Sequence, residues 1–280
     1  MLPFKIDLTG KTAVITGGGG VLCSEFARAL AECGANIALL DIKLENAHAV
    51  ADKIGGLAVQ ADVLSRESLE KARNIIVDKY GACDILINGA GGNSPKCTVT
   101  EEYLNPEDIG KPEGMTFFDV LPENLRFVFD INFTGAFLTT QVFAKDMALS
   151  KNAAETCVIN ISSMNAFTPL TKIPAYSAAK SAVSNFTQWL AVYFSKVGIR
   201  VNAIAPGFFV SEQNRALLFN SDGTPTKRAN KILAATPMGR FGEPQELLGA
   251  LLWLCSYEAS SFVNGIVVPV DGGFSAYSGV

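Results

Sequence analysis

At 280 residues, 49% of them apolar and with a net charge of −4, the chain can bury a large core and offers no basic surface for nucleic acid or anionic membrane. Six scattered cysteines without a CxxC pair and a single histidine, His48, argue against a metal site and exclude a histidine-based triad. No apolar run reaches the roughly 18 residues that span a bilayer, and the opening MLPFKIDLTGK lacks a charged-then-apolar leader pattern, so a cytoplasmic protein with reduced thiols is expected. No linker or repeat interrupts the sequence, and residues 1–280 are expected to form one domain.

Residues 12–16, TAVIT, read as a short buried strand, followed at once by Gly17-Gly18-Gly19-Gly20. A helical pattern over 21–33 closes at Gly34, and a second strand over 36–40 ends in Asp41. Strand, glycine turn, helix, strand is a βαβ unit whose turn amides suit a pyrophosphate. Thr16, Gly17, Gly19, Gly20, Val21 and Leu22 are the expected cradle. Asp41, with Ile42 beside it, stands where a carboxylate accepts from ribose hydroxyls and repels a 2′-phosphate, which favours NAD over NADP. The strict GxGxxG pattern is not met, because Leu22 or Cys23 takes its third place.

The alternation continues with a strand over 57–61 capped by Asp62-Val63, a helix over 65–80, and a strand over 84–88 ending in Asn88. Gly89-Ala90-Gly91 then lets the backbone approach a flat ring closely. Residues 93–120 break the rhythm with three prolines and two glycines. Little helix is expected there beyond a turn near 101–104. A loop of this length is usually functional or mobile, and it reads as a wall of the substrate pocket beginning at Asn93. A surface excursion and an oligomer contact are the alternatives. A long helix over 122–149 carries Asn132, a strand ending at 161 delivers Ser163, and a helix over 174–197 carries Tyr176 and Lys180. A strand over 198–205 ends at Pro206-Gly207. Residues 208–236, with Phe209, Ser211 and Arg215, read as a lid that excludes water. A helix over 244–257, a strand over 265–270 and an apolar tail complete the chain.

Strands alternating with helices predict a three-layer, doubly wound α/β fold with a mostly parallel sheet. Ligands in such sheets lie outside the strand C-termini. Thr16, Asp41, Asp62, Asn88 and Ser163 all fall on that edge. Tyr176 and Lys180, four residues apart, share one helix face. An ammonium beside a phenol favours the phenolate and is expected to bring its pKa down from about 10. Such a phenol can exchange a proton with a carbonyl or alcohol oxygen, and Ser163 would hydrogen-bond the same oxygen.

These residues resemble the short-chain dehydrogenase/reductase family. The matching pieces are TGGGG at 16–20, Asp41, Asp62-Val63, NGAG at 88–91, Asn132, NISS at 160–163, YSAAK at 176–180, Pro206-Gly207, RFGEPQEL at 240–247 and VDGG at 270–273. The resemblance implies a Rossmann-type fold with a seven-stranded sheet, Ser163 orienting the carbonyl, Tyr176 as acid/base, and Lys180 lowering its pKa and holding the nicotinamide ribose. It further implies Asn132 in a proton relay, Phe209 and Ser211 near the cofactor, and a homotetramer. The sequence departs from the family where Val21 and Cys23 replace glycines of TGxxxGxG, where NNAG becomes NGAG, where Ser211 replaces a threonine, and in the extra length of 93–120.

That insertion, the GGGGVLC turn and the FSAYSGV ending resemble the D-mannonate oxidoreductase or fructuronate reductase subgroup. A sugar acid needs polar partners and a cation for its carboxylate. Asn93, Lys96, Asn165, Lys172, Gln213, Asn214 and Arg215 are placed to supply them, with Asn165 and Arg215 preferred beside Asn93. Reduction of 5-ketogluconate, a polyol or a 3-oxoacyl thioester is the alternative, and a non-catalytic dinucleotide sensor the reading from another class.

Overall fold

Seven short apolar strands assemble into one sheet in a computed structural model that describes residues 5–210, 215 and 218–279. They are β1 Thr12–Thr16, β2 Asn36–Asp41, β3 Leu57–Gln60, β4 Ile85–Asn88, β5 Cys157–Ile161, β6 Arg200–Pro206 and β7 Val267–Val270. Their order is β3-β2-β1-β4-β5-β6-β7, and every neighbouring pair is parallel. β1, β4, β5 and β6 are buried along their whole length, as strands covered on both faces must be. The Rossmann-type three-layer fold expected from the sequence is therefore present, with the sheet wholly parallel.

Helices α1 Val21–Glu32, α2 Leu44–Ile54 and α8 Leu248–Cys255 cover one face. Phe26, Leu30, Leu251 and Leu254 are fully buried there. Helices α3 Arg66–Tyr80, α5 Gly135–Leu149 and α6 Pro174–Tyr193 cover the other, through Leu69, Ile76, Phe143 and Leu190. Burial of each such side chain contributes roughly 1.5–3 kcal/mol. Among the described residues no helix is long and apolar enough to cross a membrane. The strand order reverses between β1 and β4, so the C-terminal ends of those strands diverge and leave a crevice.

Three expectations change. The helix between residues 122 and 149 is not continuous: α4 Pro122–Phe129 passes through a π-helical turn, Asp130–Thr134, into α5. Residues 101–104 form no helical turn. Short 3-10 turns form instead at Pro95–Cys97, Pro106–Asp108 and Phe117–Asp119, two of them started by a proline whose missing N–H costs nothing at that position. α6 stops at Tyr193, and α2, which no sequence signal had singled out, fills the interval between β2 and β3.

Candidate active site

The crevice is built first by the exit of β1. Gly17 has φ +64°, and a Cβ there would stand 3.0 Å from the Cα of Ala90, so both its conformation and the close approach require glycine. The Thr16 hydroxyl accepts from the amides of Gly89 (3.1 Å) and Ala90 (3.2 Å), tying the ends of β1 and β4 together. The Gly19 amide donates to Asp41 Oδ2 at 3.1 Å and the Lys43 amide to Asp41 Oδ1 at 3.0 Å. Gly20 caps α1 without a side-chain hydrogen bond, which leaves the first amides of that helix without a side-chain acceptor beside the crevice.

A cleft of about 500 Å³ results. Of the residues expected at the cofactor, Gly17, Gly19, Gly20, Val21, Leu22, Asp41, Gly89, Ala90, Gly91, Gly207 and Phe209 line it. Thr16 and Asn88 lie buried beneath; the Asn88 amide donates to Thr140 Oγ1 and Asn160 Oδ1 at 2.9 and 2.8 Å. Pro206 is buried at the end of β6. Ile42 is 62% exposed beside Asp41. Asp62 turns back to accept from the Leu64 amide at 2.9 Å, and Val63 is buried against Gly135. Neither Ile42, Asp62 nor Val63 lines the cleft itself. Ser211, Gln213 and Asn214 lie outside the described residues. Cys23, Asn46, Ile161 and Phe208 also line the cleft.

Ser163 leaves β5 and caps a 3-10 turn, its hydroxyl accepting from the Asn165 amide at 3.2 Å. Pro174 starts α6 and sets Tyr176 in its first turn. Burial holds the phenol above its ordinary value, and the nearby Ser163 hydroxyl offsets this only in part. The expected acidification of Tyr176 by Lys180 is thus opposed by the burial of the phenol. Lys180 is 5% exposed, its Nζ donates to the Ile161 carbonyl at 2.8 Å and lies 5.6 Å from the centre of the Tyr176 ring. Burial pulls the ammonium itself down to about 8, so it is largely charged at neutral pH and loses that charge in alkaline solution.

Asn132 sits in the π-helical turn, 2% exposed. Its Nδ2 donates to the carbonyls of Gly92 (2.7 Å) and Val128 (2.8 Å), and its Oδ1 accepts from the Gly92 amide at 3.1 Å. A Cβ on Gly91 would lie 2.5 Å from Asn132 Oδ1 and 3.3 Å from Lys180 Nζ. Asn132 therefore pins the loop after β4 against Lys180.

Beyond Tyr176 the cleft opens into a pocket of about 510 Å³, with Gly207 and Phe208 lining both. Asn93, Pro95 and Thr98 from the insertion line it together with Ser163, Asn165, Tyr176 and Arg228, and the apolar Met164, Leu170 and Ile173 complete the lining. The base of the insertion is held by Cys97, fully buried with Val128 and Ala175 and packed against Tyr176. Residues 99–117 enclose a separate cavity of about 340 Å³. Arg215 is exposed, with its guanidinium 5.4 Å from the Phe219 ring centre, and is not among the residues lining the pocket. Lys96 is likewise outside it, and Lys172 donates to the Thr100 carbonyl at 2.6 Å in an adjoining cavity. Arg228 carried no local signal in the sequence, since it is one cation among several in a polar segment.

The family profile described as Enoyl-(Acyl carrier protein) reductase matches residues 22–275. An uncharacterized oxidoreductase of Haemophilus influenzae is 61% identical over 279 residues, covering 98% of this chain and 96% of its own. The uncharacterized oxidoreductase UxuB of Bacillus subtilis is 54% identical over 286 residues, with both chains fully covered. The chain belongs to the short-chain dehydrogenase/reductase family. A solved structure from Haemophilus influenzae, provisionally named a D-mannonate oxidoreductase and holding bound NAD, superposes with a TM-score of 0.92 at 59% identity over 98% of both chains. Within this short-chain dehydrogenase/reductase, two departures from the family pattern are one feature in space. A Cβ on Gly89 would collide with the sulfur of Cys23, so the residue lost from NNAG and the glycine lost from the phosphate loop compensate one another.

Proposed function

We propose that this oxidoreductase interconverts a secondary alcohol and a ketone on a sugar acid, D-mannonate and D-fructuronate, with NAD(H). The observation that carries the reading is the adjacency of the two cavities: a glycine-walled cleft and a pocket lined by Ser163 and Tyr176 share Gly207 and Phe208. NAD suits the residues present. Gly17 to Gly20 and the start of α1 would hold the pyrophosphate, Asp41 the adenosine ribose, and Gly89 to Gly91 with Gly207 and Phe209 the nicotinamide end. When bound, the cofactor supplies or accepts the hydride.

The protein's own residues handle the proton. In reduction Tyr176 gives its hydroxyl proton to the substrate oxygen as charge develops there, and in oxidation it takes that proton back. A phenol kept neutral by burial is already in the form that reduction needs. Ser163, which lines the same pocket as the phenol, supports the same oxygen. Lys180, donating to the Ile161 carbonyl, and Asn132, bonded to Gly92, fix the loop after β4 beside the reacting centre. Asn93, Thr98 and Asn165 offer partners for substrate hydroxyls within an otherwise largely apolar lining, and the provisional name of the Haemophilus relative supports a sugar acid over an acyl chain. Exposed Trp189, Val192 and Tyr193 on α6 and Leu149 on α5 support self-association through this face, consistent with a homotetramer.

The test is NADH consumption with D-fructuronate, 5-keto-D-gluconate and an acetoacetyl thioester. The reading requires D-fructuronate to give the highest kcat/KM. Preference for the thioester, or silence with every sugar acid, sinks it.

A further inference from the structure

Helix α7, Lys227–Ala235, reaches the substrate pocket through Arg228, with Ala229 and Ile232 buried in a small cluster with Leu218, against which Phe241 packs. Its first turn carries Lys227 and Arg228 and no acidic residue. That arrangement opposes the helix dipole, which favours anions at this end. A local rule broken without a compensating contact marks a place where function sets the residue. Among the described residues no carboxylate pairs with Arg228; the ion pair of this helix is Lys231 with Glu102, at 2.7 Å.

Arg228 also stands at a junction. It lines both the pocket holding Ser163 and Tyr176 and an adjoining cavity of about 520 Å³. The adjoining cavity has four cations on its wall, Lys172, Lys227, Arg228 and Lys231, against the single carboxylate of Glu102. Asn165, which lines the same pocket, is 3% exposed and its Oδ1 is buried without a hydrogen-bond partner. A buried acceptor left unpaired is costly; a small rotation of the Asn165 amide toward the pocket its residue lines would pair it with a donor, while Arg228 offers itself to an anion. A hydroxyl group beside the reacting carbon and a carboxylate at the far end of the chain satisfy both.

We infer that Arg228 is the residue that holds the substrate's carboxylate, with Asn165 accepting from a hydroxyl near the reacting carbon. This rests on the sugar-acid reading above and supplies its determinant of acid over neutral substrate. A planar guanidinium matches a carboxylate with two parallel hydrogen bonds, which an ammonium does not.

D-fructuronate and D-fructose test it, because D-fructose carries a hydroxymethyl group where the acid carries its carboxylate. Steady-state kinetics with NADH are measured for the wild type, Arg228→Gln and Arg228→Lys. In Arg228→Gln the ratio of kcat/KM for the acid over the neutral ketose is expected to fall about tenfold to a hundredfold, through KM. Arg228→Lys should recover part of that loss. Parallel measurement on Arg215→Gln, which should leave the ratio within about twofold, separates a located contact from a general loss of positive charge. An unchanged ratio in Arg228→Gln, with the acid still turned over well, overturns the assignment of Arg228 and leaves the sugar-acid reading intact. Failure of the wild type to turn over any sugar acid overturns both. A fall in kcat for both substrates alike would show a structural role for the residue and overturn the assignment too.

Discussion

The sulfur of Cys23 fills the space that Gly89 leaves beside the end of β1. A Cβ at residue 89 would run into Cys23 Sγ on one side and stand 2.8 Å from the Thr16 carbonyl on the other. The thiol itself lies against that carbonyl at 3.6 Å and is pushed up to about 12 by burial. It is therefore a neutral packing group on the floor of the cofactor cleft and not a nucleophile.

Gly89→Ala should accordingly destabilise the protein by about 1–3 kcal/mol through overpacking. Cys23→Ala in the same chain should return only the part due to the sulfur, because the Thr16 carbonyl belongs to β1 and cannot retreat. Denaturant unfolding of the two single variants and the double variant checks this. A coupling energy near zero would mean that the two positions do not share the space.

Tyr176→Phe should lower kcat by about a hundredfold to ten-thousandfold, the range ascribed to a positioned proton donor. It should leave NADH affinity within about threefold, since the ring and its packing against Cys97 remain. Fluorescence titration with NADH separates the outcomes: loss of binding together with turnover would make the phenol structural.

Lys180 makes the folded protein's stability depend on pH. Its ammonium titrates near 8 in the folded chain and at 10.5 ordinarily. Between those values the unfolded chain holds more protons, so stability rises with pH across that window. Below pH 8 both states are protonated and the folded state carries the full cost of the buried charge, about 3 kcal/mol. Lys180→Met should therefore be more stable than the wild type at pH 7, by up to about 2 kcal/mol once the lost hydrogen bond to Ile161 is allowed for. The advantage should vanish by pH 10.5. Unfolding of both proteins at pH 7 and pH 10, without added dinucleotide, decides it. An advantage that stays constant with pH would remove the buried charge as its cause.

What could be read from the sequence was local. The strands are apolar runs closed by Thr16, Asp41, Asn88 and Ser163, and those residues do gather on one edge. Tyr176 and Lys180 were legible because a helix fixes their spacing. The direction of the phenol's pKa was not, because it depends on how deeply distant elements bury it. The π-helical turn at 130–134 was hidden for the same reason: DINFT holds no glycine or proline, and Asn132 is bonded to Gly92, which lies 40 positions away. Arg228 and Arg215 look alike in the chain, and only the placement of α7 sets one of them at the pocket.

Asp41 is the residue proposed to discriminate between the two dinucleotides. Its carboxylate is already bonded to the amides of Gly19 and Lys43, yet two carboxylate oxygens have about four acceptor positions, so it retains capacity for ribose hydroxyls. A 2′-phosphate brought to the same place meets a fixed negative charge. Asp41→Ala should therefore weaken NADH binding and strengthen NADPH binding relative to it, moving the ratio of their kcat/KM values by about tenfold or more. The variant also frees the Gly19 amide and loosens the glycine turn, so affinity for both cofactors should fall somewhat. Asp41→Asn separates the two effects, because the neutral amide keeps an oxygen acceptor for the Gly19 amide while losing the charge. If Asp41→Asn shifts the ratio as far as Asp41→Ala does, charge sets the preference. If only Asp41→Ala changes it, the turn geometry does, and the carboxylate has no part in discriminating the phosphate.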